Sequence, residues 1–245
     1  MPDFNLMPLE QLEALCDQDM INLFRQYYRD KAQYRAAVVK FLSQPQLPLP
    51  ELFGVLRESA QPLESWKKLL AVCRHAAPKA PWSTLPYPHF TEDITATKSW
   101  LEKHLRYLPT TRGIYLSLDT MHMHDSTGMN VNIGSSVTCD PQGDSTEWVF
   151  DELFQGPEHQ IRGLYDLYSI YSQAEWLVDD RTVAGGDYFS FANYLIFLGY
   201  SGIVLSQAFK LLKSDRTRLA AWGFSGGDVF LLGRQMPEGF ALICQ

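Results

Sequence analysis

The feature that most limits this chain is a run without one charged side chain, "YFSFANYLIFLGYSGIVLSQAF", from Tyr188 to Phe209. It is about as long as a bilayer-spanning helix, which needs about 20 apolar residues. Crossing lipid would take Asn193, Gln207 and the breaking run Gly199-Tyr200-Ser201-Gly202 into the hydrocarbon, where polar side chains are disfavoured. The segment is therefore expected to be the interior of a globular fold, with no membrane partner. With 245 residues, 46% of them hydrophobic and 20% charged, the chain can bury one large core or two small ones.

The amino terminus "MPDFNLMPLEQLEALC" lacks the basic start, apolar run and small-residue cleavage site of a secretory signal, which points to the cytoplasm. Cysteine usage agrees with that compartment. Cys16, Cys73, Cys139 and Cys244 are far apart with no C-x-x-C pair, so reduced, mostly buried thiols are expected.

The first 76 residues read as helices. Leu9, Leu12 and Leu15, then Leu23, Tyr27, Tyr34, Val38 and Phe41, recur at intervals of three and four. Pro45, Pro48 and Pro50 end that pattern, and Pro62 can open a further helix through "LESWKKLLAVCRHA". The run "PKAPWSTLPYP" has four prolines and must be extended, which makes residues 77–93 a connector between a helical subdomain, 1–76, and a second part, 94–245, unless the two form one continuous domain. A helix is expected from Ile94 to Tyr107.

The period then changes to two. Ile114, Leu116 and Leu118 alternate with Tyr115, Ser117 and Asp119, and Met129, Val131 and Ile133 alternate with Asn130 and Asn132, with Asp125 to Gly128 as the turn. Asp144-Ser145-Thr146-Glu147 resembles a capping box for a short helix to Phe154. Ile161, Leu164, Tyr165, Tyr168 and Tyr171 mark one face of a longer helix. Three apolar runs after Leu219, divided at Gly226-Gly227-Asp228 and Pro237-Glu238-Gly239, read as an antiparallel meander. The class is α+β, a helical N-terminal layer packed with a C-terminal antiparallel sheet and helices.

Two constellations invite a catalytic reading. His122 and His124 share one face of a regular strand and could reach a single ion together with Asp125, as in a metal-dependent hydrolase. Nothing selects further ligands among Asp119, Asp125 and His159, and a bulge near Thr120 would turn Met121 and Met123 inward and leave the histidines at the solvated hairpin end. Gly223-Phe224-Ser225-Gly226-Gly227 matches G-x-S-x-G, but the acid and histidine partners of that motif follow the serine, and here the last histidine is His159. The glycines are expected to serve a hairpin turn. No H-E-x-x-H, P-loop, dinucleotide fingerprint or EF-hand loop occurs. No catalysis and no cofactor are expected.

Charge is more informative. Between Arg112 and Arg162 there is no lysine or arginine, while Asp119, Asp125, Asp140, Asp144, Glu147, Asp151, Glu152 and Glu158 give −8. Asp166, Glu175, Asp179, Asp180 and Asp187 against Arg162 and Arg181 bring residues 113–209 to −11, in a chain whose total is −7. Such a field excludes nucleic acid as a ligand and favours a basic partner. Trp148, Phe150, Phe154, Tyr165, Tyr168, Tyr171 and Trp176 are interleaved with the acids, and aromatic anchors with a charged surround are what protein interfaces use. The expected binding set is Asp140, Asp144, Glu147, Trp148, Asp151, Glu152, Glu158, Asp179 and Asp180.

The C-terminal third, "FLGYSGIVLSQAFKLL" followed by "AAWGFSGGDVFLLG", together with the acidic middle, resembles the immunity proteins that bacteria pair with toxins of type VI secretion and other polymorphic toxin systems. The resemblance implies a stoichiometric inhibitor that binds its cognate effector. For a nuclease toxin, whose groove is positive, the carboxylates of Asp140, Asp144, Glu147, Asp151 and Glu152 could occupy phosphate positions.

Overall fold

A computed structural model of the chain describes residues 4–16, 18–43, 48–58, 61–76, 78, 82–107, 110–123, 126–150, 154–175, 186–225 and 228–245. The chain forms two compact units, Met1–Leu47 and Pro48–Gln245.

The first unit holds three helices, α1 (Leu9–Glu13), α2 (Gln18–Tyr27) and α3 (Lys31–Ser43). Leu12, Tyr34 and Val38 are its buried centre, with Phe4, Met7 and Phe24 packed around them. Asp30 starts α3 by accepting from the backbone N–H groups of Ala32 (3.0 Å) and Gln33 (2.9 Å), as an N-cap should. Glu13 accepts from Arg25 at 2.9 Å and from the Tyr34 hydroxyl. Those bonds hold its carboxyl below the usual range.

The second unit contains α4 (Leu49–Glu58), α5 (Pro62–Ala76), α6 (Phe90–Tyr107), α7 (Arg162–Glu175) and α8 (Gly186–Leu211), with strands β1 (Gly113–Met123), β2 (Ser126–Ser136), β3 (Phe154–Gln155), β4 (His159–Gln160), β5 (Arg218–Phe224), β6 (Val229–Met236) and β7 (Gly239–Leu242). The proline-rich connector is not where the compact units divide. Helices α4 and α5 belong with the sheet, because Leu52, Phe53, Leu56, Trp66 and Leu69 are buried there, against α8 and such neighbours as Phe90, Trp222 and Phe230.

The strands run in the order β3-β2-β1-β5-β6-β7, with β4 also on β2. The β1–β2 hairpin and the β5–β6–β7 meander have the expected antiparallel pairing. The sheet as a whole is mixed rather than antiparallel, since β1 and β5 pair in parallel after a crossover through α7 and α8. Register along the hairpin is unbroken from Gly113↔Ser136 to Met123↔Ser126, so the bulge expected near Thr120 is absent and the strands continue through Ser126–Gly128, where a turn was expected. Gly226 and Gly227, expected to serve the β5–β6 turn, lie outside the described residues, and the register shift between these strands lies at Ala220/Ala221.

Helix α8 is the uncharged run of the sequence, and 78% of its most apolar 18-residue window, Tyr194–Leu211, is buried inside the protein. By length and composition it could cross a membrane; here it is the core. The run from Gly199 to Gly202 does not break it. At Gly199 a Cβ would lie 2.5 Å from Leu69 of α5, and at Gly202 2.8 Å from Leu56 of α4, so both glycines are notches that let helices approach. Ser201 and Ser206 return their hydroxyls to the carbonyls of Leu198 and Ile203, both at 3.0 Å, which is how a polar side chain survives in that interior. Trp222 of β5 is fully buried against this helix, donating to the Leu198 carbonyl (3.4 Å) and meeting Phe53 edge-on.

Candidate partner-binding surface

The opposite sheet face is closed by the irregular stretch of residues 137–150, which together with residues 154–160, paired along β2, carries all four described carboxylates assigned to binding. It begins with a turn held by Ser136, whose Oγ accepts from the N–H groups of Thr138 and Cys139, both at 3.2 Å. Cys139, Trp148 and Val149 then pack on Leu219, Ala221 and Leu231. Burial, helped by Asp140, pushes the Cys139 thiol up to about 11, so it is a packing group rather than a nucleophile. All four cysteines are free thiols, three of them buried.

Between those contacts the loop is clamped by Arg234 of β6. Its guanidinium donates to the carbonyls of Pro141 (2.9 Å), Gln142 (3.0 Å) and Gly143 (3.2 Å) and to the Asp144 carboxylate (3.0 Å). Asp140 accepts from the Gln142 N–H at 3.0 Å. Two of the expected binding carboxylates thus also shape the loop, although both residues remain exposed.

The expected short helix to Phe154 is only a 3-10 turn, Glu147–Phe150. Ser145 Oγ accepts from the Glu147 N–H at 3.1 Å, two residues on, and this local turn competes with the capping box that the sequence suggested. The shorter turn changes which aromatic faces solvent. Trp148 is only 7% exposed and sits over Gly113, where a Cβ would be 2.7 Å from its ring, so it is core and not a partner anchor. Phe150 is 76% and Phe154 58% exposed. Both were counted among the acid-interleaved aromatics without being singled out; Phe150 ends the 3-10 turn and Phe154 opens β3.

Phe154 and Gln155 pair with Ser135 and Gly134, and Gln160 and His159 with Asn130 and Val131. Glu158, between these short strands, is exposed and accepts from Asn130 Nδ2 at 3.2 Å. On the outer sheet face Asn130 stands opposite Asp119, which accepts from Asn132 at 2.7 Å. Tyr115 on the same side has its hydroxyl pushed up to about 12 by burial and then by Asp119. Oxygen-rich side chains therefore continue from Glu158 across β2 to β1.

Asp151, Glu152, Asp179 and Asp180, with His124 and Asp125, lie outside the described residues. His122 takes a paired position opposite Thr127. Among the described residues no three His, Cys, Asp or Glu side chains gather as a metal-binding group.

Against residues 154–160, α6 supplies a polar stripe to which the sequence reading assigned no role, with Asp93, Thr97, Trp100 and His104 spaced four, three and four apart. Asp93 is 3% exposed and accepts from the N–H groups of Arg162 (3.1 Å) and Gly163 (3.0 Å), capping α7 from another helix, and from the Tyr200 hydroxyl (2.8 Å). His159 meets Thr97 Oγ1 at 3.0 Å and stacks on Trp100 at 4.8 Å. The signal available in sequence was that helical spacing of polar groups on a face that should have been apolar.

Compared with protein-family models, curated proteins and solved structures, the chain has no match.

Proposed function

We propose that this chain is a stoichiometric binding protein that neutralises a secreted bacterial toxin, as the immunity proteins of type VI and polymorphic toxin systems do. The observation that carries the reading is the 137–160 surface. Asp140, Asp144, Glu147 and Glu158 are exposed on it, Phe150 and Phe154 project from it, and no lysine or arginine occurs from residue 113 to 161. Carboxylates around exposed aromatic anchors suit a cationic protein face, where the rings supply contact area and the charges steer association. A nuclease is the toxin class such a surface suits best, since its substrate groove carries the positive charge that phosphates require.

The test is co-expression with the toxin encoded by the adjacent reading frame. The unmodified protein should restore growth, and a variant combining Glu147→Gln, Glu158→Gln, Phe150→Ala and Phe154→Ala should fail to do so with its melting temperature preserved. Full protection by that variant would remove this surface from the function. Toxin activity on DNA or RNA, assayed with and without the protein, tests the nuclease assignment.

A further inference from the structure

Two histidines tie the 154–160 segment to the interior, and neither is placed to carry charge. His104 is 7% exposed, its Nε2 has no hydrogen-bond partner among the described residues, and Gly156 is seated on its ring, since a Cβ there would lie 2.5 Å from Cε1. His159 belongs to the segment itself and reaches back to Thr97 and Trp100. We infer that the seam between α6 and residues 154–160 is an acid-sensitive hinge that loosens the binding surface as the solution turns acidic. This rests on the reading of that surface given above.

The groups facing each ring decide the sign. Ile133 of β2 and the Gly156 backbone face His104. Burial is what lowers its proton affinity. His159 is opposed by apolar Val131 on β2 and flanked by Glu158 and Gln160 on its own strand, both exposed. From α6 it feels Asp93, which favours a proton but only partly offsets burial, and whose oxygens are already bonded to Arg162, Gly163 and Tyr200.

Both imidazoles therefore stay neutral in the closed state below the ordinary histidine value of 6.5. An opened segment takes up protons near that value, so opening is favoured as pH falls through and below it, and the closed seam is fully stable above it. The segment is also the cheapest element to release. It is held by two strands of two residues each and the Gly156 N–H to Ile133 carbonyl bond (2.8 Å), against an 18-residue helix on the other side. Opening carries Phe154 and Glu158 away together.

Hydrogen exchange of the full chain at about pH 7.5 and about pH 5.5, corrected for intrinsic rates, tests this. Expected are a loss of protection of about tenfold or more confined to residues 154–160, with α8 and β5 unchanged, and quenching of Trp100 emission as its stacked imidazole gains a proton. Combining His104→Phe with His159→Gln, which keeps a reach to Thr97, should abolish both effects. The inference is overturned if protection at 154–160 is the same at both pH values, if α8 loosens equally, or if the double variant still opens; should that variant not fold, the exchange profile of the unmodified protein decides. A seam that stays closed in acid defeats the hinge and leaves the toxin reading standing, whereas full neutralisation by the four-residue surface variant at about pH 7.5 defeats the reading and leaves the hinge.

Discussion

The two faces of the sheet are closed by opposite means. On one, Trp222 meets the long helix α8, 78% of whose Tyr194–Leu211 window is buried, and Ile114, Leu116, Leu118, Val131 and Ile133 are buried on the same side of the sheet. On the other, a loop with one buried tryptophan is held down by a guanidinium and by turns capped by Ser136, Asp140 and Ser145. The first face is stabilised by area, at roughly 25 cal/mol per Å² of apolar surface removed from water, and tolerates no deletion without a cavity. The second depends on a few directional bonds, so its stability is local and its outer surface is free to be shaped for recognition.

Breaking the helical face should have the largest effect. Trp222→Ala empties the centre of the Phe53–Trp222–Phe230 group and should cost about 3–5 kcal/mol in a denaturant titration. On the loop face, Arg234→Ala should cost only about 1–2 kcal/mol, because its bonds lie near solvent and water replaces part of them. Its distinguishing sign is faster amide exchange at residues 140–147 with α8 unchanged. Smallest of all, Phe150→Ala and Phe154→Ala should change global stability by no more than about 0.5 kcal/mol, since neither ring is buried. A loss above about 2 kcal/mol from either would show that the loop face is a second core rather than a recognition surface.

The same contrast explains what could be read from the sequence. The hairpin was legible because Ile114, Leu116 and Leu118, and Met129, Val131 and Ile133, alternate with polar residues and leave one face for the core, and the meander because its apolar runs are divided by turn residues. The uncharged run was legible as interior, but not its continuity through Gly199 and Gly202, which depends on Leu69 and Leu56 lying against those positions. The parallel pairing of β1 with β5 was not legible, because no local pattern records which strands a crossover brings together. At the candidate site the charge distribution was visible from composition, yet the burial of Trp148 was decided by Gly113, on a strand 35 positions earlier, and the outward turn of Phe150 followed from it. Asp93 fell at the end of the expected connector and was given no role there; the role it has depends on the start of α7, 69 and 70 positions away.

Arg234 clamps a carboxylate 90 positions before it in the chain. At about 5–20 residues per second on the ribosome, the loop emerges on the order of ten seconds before the side chain that fastens it. A nascent chain therefore carries its acidic, phenylalanine-bearing segment without this fastening until β6 has been made and has docked, so the proposed recognition surface would be completed late.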